Sequence, residues 1–236
     1  MSSNRMSRKS RMMAVVAGVL AAAGLVAVGT GVGVQLAWSK SVARTGAVTG
    51  TVTFKGGAKG AGVVVSLIGV KAPPPGPEPA AQIKQVNKAF APGLTVVPKG
   101  SVVEFPNQDK VFHNVFSVSR AARFDLGLYK SGTSKTVQLK RVGVVDVYCN
   151  IHPEMVAKVV VVDGPFWAVT GKDGSFTMAG VPPGTYPLVA YGGDGKEVRT
   201  EVTVTVGGTT TAKLEVAKPA AQPHLRKDGT PYGRYK

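Results

Sequence analysis

One cysteine, Cys149, occurs in 236 residues, so no internal disulfide framework can hold this chain together. Histidine is nearly as scarce, with His113, His152 and His224 the only three. Acidic residues are few: 13 Asp and Glu stand against 29 Lys and Arg, for a formal charge of +16. That balance favours an acidic partner or an anionic surface. Nucleic acid is not the expected partner, because no zinc-finger spacing, RNP-type stretch or helix-turn-helix pattern accompanies the charge. Helix-favouring composition is lacking as well. Gly 30 and Pro 16, with abundant Val and Thr, point to strands and turns and so to an all-β fold.

Only one apolar run is long enough to cross a bilayer. Residues 1–11 carry four Arg and Lys and no acid, and residues 12–38, from Met12 to Trp38, carry no charge at all. About 20 apolar residues span a membrane as a helix. A secretory signal has a shorter apolar region followed by a small-residue cleavage site, and the one candidate of that kind, Ser41-Val42-Ala43, fits poorly. The expectation is an uncleaved transmembrane anchor over 12–38, with the basic 1–11 segment kept inside. The rest of the chain then lies on the periplasmic or extracellular face.

Beyond the anchor, short strand patterns recur between turn signals. Ala47–Phe54 and Val63–Ile68 flank a glycine-rich turn, and the proline-rich stretch 71–80 follows as an extended connector. Six further runs lie between Ile83 and Val162, a number and spacing that suit a β-sandwich. After Asp163-Gly164-Pro165 the pattern resumes through Val216. The tail 218–236 is basic and proline-containing with no core-forming pattern, and is expected to be disordered.

The scarce residues concentrate in one place. In Val147-Tyr148-Cys149-Asn150-Ile151-His152-Pro153-Glu154-Met155, two residues separate Cys149 from His152 and two more separate His152 from Met155. His113 sits 36 residues before Cys149. One thiolate, two imidazoles and one thioether form the ligand set of a blue-copper electron-transfer site, His2Cys with a weak axial Met. Soft sulfur ligands suit Cu(I) and imidazole suits Cu(II), so this set tolerates both oxidation states. A Cys149–His152 nucleophilic pair is the rival reading. It lacks a helix to depress the thiol pKa and any evident oxyanion hole. Zinc would favour a carboxylate or a second thiolate over Met155.

FPNQDKVFHNVF and VYCNIHPEM together resemble the cupredoxins, the small blue copper proteins, over about 80 residues. The Cys-x2-His-Pro-x-Met spacing is similar to the short ligand loop of amicyanin. The resemblance implies a Greek-key β-sandwich over 83–162 holding one type 1 copper on His113, Cys149, His152 and Met155. Asn114 matches the residue that ties the two ligand loops together, and Pro153 stiffens the loop beside His152. Phe112, Pro153 and Val115 would form an apolar patch around the His152 ring edge. A second stretch, KDGSFTMAGVPPGTYPLVAY at 172–191, resembles the transthyretin-like carboxypeptidase regulatory-type domain. It implies a smaller sandwich built from 46–70 plus 163–217, with the cupredoxin inserted in it. The same combination occurs in methylamine-utilisation-like cupredoxins.

Two of the three histidines are taken by this site and the third lies in the tail. That leaves no imidazoles for a second, substrate-reducing copper. The expected function is therefore not enzymatic. It is a membrane-anchored carrier of single electrons, exchanging them with an acidic redox protein such as a cytochrome or a dehydrogenase. Copper delivery without redox turnover, or a β-sandwich interaction module, are the alternatives.

Overall fold

The computed structural model describes residues 44–71, 75–76, 78–219 and 224–232. The expected anchor over 12–38 lies outside them, and none of the described residues forms a helix long and apolar enough to cross a membrane.

Every regular element among the described residues is a strand. The first two are β1 (Gly46–Phe54) and β2 (Val64–Leu67). Ten follow: β3 (Pro79–Gln82), β4 (Lys84–Val86), β5 (Ala89–Ala91), β6 (Leu94–Pro98), β7 (Val102–Pro106), β8 (His113–Val118), β9 (Arg123–Tyr129), β10 (Ser134–Gln138), β11 (Gly143–Tyr148) and β12 (Val156–Val162). The last five are β13 (Trp167–Val169), β14 (Ser175–Val181), β15 (Gly184–Tyr191), β16 (Glu197–Val204) and β17 (Thr209–Val216).

Strands β3 to β12 build one sandwich, with sheets ordered β10-β7-β3 and β6-β12-β11-β8-β9 and the β4–β5 hairpin beside them. Strands from both ends of the sequence build a second, ordered β14-β1-β17 and β13-β2-β15-β16. In β1 the alternation of GAVTGTVTF places Val48 and Val52 in the core of that second sandwich. Gly50 must be glycine, because a Cβ there would lie 2.2 Å from the Ala212 carbonyl oxygen and 2.7 Å from the Phe176 ring. Gly174, in the Asp173-Gly174 turn, adopts φ +81° and would press a Cβ against the Val52 carbonyl.

The first sandwich begins earlier than the expected boundary at 83. β3 starts at Pro79, inside the proline-rich stretch, and pairs only with β7. A proline at the first position of an edge strand leaves no ladder donor missing. Two elements gave little sequence signal. Strand β9, RFDLGLY, is an edge strand with an internal glycine, and the β4–β5 hairpin turns on Asn87 and Lys88, both at positive φ.

Strand β12 explains how the sandwiches meet. Val159 and Val161 face the core of the first sandwich, together with Phe105, Val145 and Val147. Val160 and Val162, on the opposite face, pack against Val64, Val189 and Tyr191 of the second. Buried on both sides, this strand reads as a near-continuous valine run rather than an alternation.

Candidate metal centre

The ligand-bearing residues come from two neighbouring strand ends. His113 opens β8, and Cys149 directly follows β11; β8 and β11 pair in one sheet. The loop from Cys149 to Met155 connects β11 to β12. It is closed by backbone hydrogen bonds from Met155 N to His152 O at 3.1 Å and from Cys149 N to Met155 O at 3.3 Å.

Nδ1 of His113 lies 3.1 Å from Nδ1 of His152, and Sγ of Cys149 lies 4.0 and 3.8 Å from them respectively. The three atoms form a triangle whose equidistant point is about 2.1 Å from each, a length typical of first-row metal bonds to nitrogen and sulfur. No carboxylate joins the three among the described residues. Cys149 and His113 are fully buried, and His152 is partly exposed. Met155 is fully buried in the apolar cluster that also contains Cys149, Val115 and Val147. Two imidazole nitrogens and one thiolate, without a hard oxygen donor, fit copper better than zinc.

The orientation of His113 has a cause that the sequence reading missed. Asp109 Oδ2 stands 2.7 Å from His113 Nε2, so that nitrogen donates and Nδ1 keeps its lone pair for a metal. The same carboxylate accepts the backbone N–H groups of Asn87 and Lys88 at 2.6 and 2.8 Å. Partial burial works against the charge on Asp109, but these hydrogen bonds and the one to His113 outweigh it and hold its carboxyl below the ordinary value. Asn107 fixes the loop that carries Asp109. Its amide donates to Val111 O and Tyr129 O, and its Oδ1 accepts from Asp109 N. Burial, then the neighbouring His113, depress the pKa of His152. Asp109 stands four residues before His113, but within the polar stretch 107–110 that spacing carried no signal of the contact.

Other expectations need correction. Asn114 is buried, but its amide donates to Asp125 Oδ1 at 2.7 Å rather than to the Cys149 loop, and its Oδ1 is buried without a partner. Val115 is fully buried in the core and cannot belong to a surface patch, whereas Phe112 is 54% exposed and Pro153 partly exposed. Within the tail expected to be disordered, residues 224–232 take a defined place. They dock on the ligand loop, where Lys227 N donates to Asn150 Oδ1 at 3.1 Å. His224 stacks on Tyr148 with centroids 4.2 Å apart, and the Tyr232 hydroxyl donates to Cys149 O at 2.6 Å. Tyr148 also packs on Phe116, and burial raises its pKa to about 12.

Comparisons with known proteins each cover part of the chain. Residues 158–212 match the family model described as polysaccharide lyase family 4, domain II. Rhamnogalacturonate lyase A of Emericella nidulans and that of Aspergillus niger are 40% and 41% identical over 52 residues, which is 22% of this chain. The match spans only 10% of each lyase. The residues matching the family model include none of His113, Cys149, His152 and Met155. Among solved structures, a purple cupredoxin from Nitrosopumilus maritimus is 26% identical, covering 35% of this chain and 99% of that one, with a TM-score of 0.32. A Cu(I) variant of amicyanin is 19% identical, covering 42% of this chain and 98% of that one, at 0.34. A copper-containing nitrite reductase from Thermus scotoductus is 23% identical, covering 42% of this chain and 26% of that one, at 0.36.

Proposed function

We propose that this chain is a mononuclear copper protein that carries single electrons on the outer side of a membrane. The observation that carries the reading is the triangle of His113 Nδ1, Cys149 Sγ and His152 Nδ1. Met155, buried in the same cluster as Cys149, would add a thioether to the set that holds copper. Bound copper supplies a one-electron couple.

The protein's own residues do the rest. Asp109 holds the His113 tautomer. The core around Cys149 excludes water, which keeps the thiolate from competing reactions. His152 is partly exposed, as is Pro153 after it, and Phe112, the residue before His113, is exposed; these support an apolar approach for a partner to the ligand set. The surplus of basic residues favours an acidic redox partner such as a cytochrome or a dehydrogenase. The uncharged run Met12–Trp38 behind a basic N-terminus supports a membrane anchor. We read the second sandwich as a transthyretin-like support for the copper-binding one. Complete burial of Cys149 and His113 favours retention of the metal over its handover to another protein.

Titrating the full chain, solubilised in detergent, with one equivalent of Cu(II) tests this. An intense thiolate-to-copper band that bleaches reversibly with a mild reductant is expected, and Cys149→Ser should abolish it. A pale solution would sink the reading.

A further inference from the structure

We propose that the segment His224–Tyr232 is a clamp that positions the metal-ligand loop from outside the sandwich. The proposal rests on the copper-carrier reading for its purpose, though not for its geometry. The segment holds both ligand-bearing stretches. Tyr232 Oη donates to Cys149 O at 2.6 Å, and Lys227 N donates to Asn150 Oδ1 at 3.1 Å. Lys227 Nζ pairs with Asp125 Oδ2 at 2.6 Å, while Asp125 Oδ1 accepts from Asn114, the residue after His113.

The clamp is itself shaped. Arg226 N donates to Thr230 O and Gly229 N to Arg226 O, both at 2.9 Å. The Asp228 carboxylate accepts from Thr230 N and Oγ1. Arg226 lies over the Tyr232 ring at 5.4 Å, and His224 meets the same ring edge-on at 5.0 Å while stacking on Tyr148. The segment thus presents a fixed hydroxyl and a backbone N–H to the loop, and a fixed ammonium to Asp125 on β9.

The consequence falls on Cys149. Its backbone N–H is committed to Met155 O and its carbonyl to Tyr232, so both backbone polar groups of the thiolate ligand are tied. A ligand loop held this way needs less rearrangement when a metal enters or changes charge. Tyr232 and Lys227 are therefore positioning residues.

The test uses the full chain with Tyr232→Phe, which keeps the ring and removes only the hydroxyl. In metal-free protein, amide hydrogen exchange at Asn150, Ile151, His152, Glu154 and Met155 is expected to speed up about fivefold. Exchange in the second sandwich should stay unchanged. With copper, Cu(I) release to a chelator should accelerate by a similar factor. Lys227→Met should behave likewise and Lys227→Arg should restore the parent rates, which a passive tail would not do. Unchanged loop exchange and release in both Tyr232→Phe and Lys227→Met would overturn the clamp. Absence of a thiolate–copper band in the parent would instead fault the carrier reading, and the metal-free exchange comparison would still decide the clamp.

Discussion

The carboxylate of Asp109 links the His113 ring to the β4–β5 turn: its oxygens accept from His113 Nε2, Asn87 N and Lys88 N within 2.8 Å. A hairpin with no ligand of its own therefore sets the orientation of one.

Asp109→Ala should weaken copper binding by about 10- to 100-fold, as loss of a partner that orients a ligating histidine does. It should also lower metal-free stability by about 1–3 kcal/mol, because His113 Nε2 and two backbone donors lose their acceptor. Chelator competition reads the first effect and urea unfolding without metal reads the second. An affinity that stays at the parent value would remove Asp109 from the metal centre.

Met155→Leu separates an axial ligand from a core side chain. The two residues have similar volume, so unfolding free energy should change by less than about 1.5 kcal/mol. If Met155 is the weak axial ligand, the reduction potential and the thiolate–copper spectrum should shift in the same variant. A stable variant with an unmoved potential would assign Met155 to packing alone.

Asp163 gives a pH prediction at the entrance to the second sandwich. The Gly69 N–H at 3.0 Å holds its carboxyl below the ordinary value; partial burial opposes this and Lys99 assists it. A carboxylate with a depressed folded-state pKa stabilises the protein above the unfolded pKa, and that contribution is lost as pH falls towards the folded value. Asp163→Asn should therefore cost about 1 kcal/mol at pH 7. The difference from the parent should shrink below about pH 4. Urea unfolding at pH 7 and at pH 3 checks it, and an equal difference at both would contradict the assignment.

What the sequence revealed, and what it hid, follows from where each signal lies. Cys149 and His152, which the structure brings together with His113, were legible because their chemistry is rare and their spacing short. His113, although distant, opens a recognisable strand. The alternation in β1 and the valine run of β12 were legible for the same reason, since burial imposes a period on side chains. Asp109 was not, because a carboxylate in a polar loop looks the same whether it orients an imidazole or faces solvent. Asn114 misled: adjacency to a ligand did not fix which neighbour its amide would reach, and Asp125 lies on a strand with little sequence signal. His224 and Tyr232 were hidden by composition. A basic, proline-containing tail reads as solvated, and only three-dimensional proximity brings its two rings to Tyr148 and Cys149.

The doubly covered β12 has a thermodynamic consequence. Val160 and Val162 cannot leave Val64, Val189 and Tyr191 without exposing apolar surface on both partners. The two sandwiches are thus poor candidates for separate melting, and a single cooperative transition is the expected behaviour. Any ligand that binds only the native first sandwich then raises the stability of the whole. Copper held at one end of the chain's fold would protect strands β14 to β17, which contribute no ligand to it.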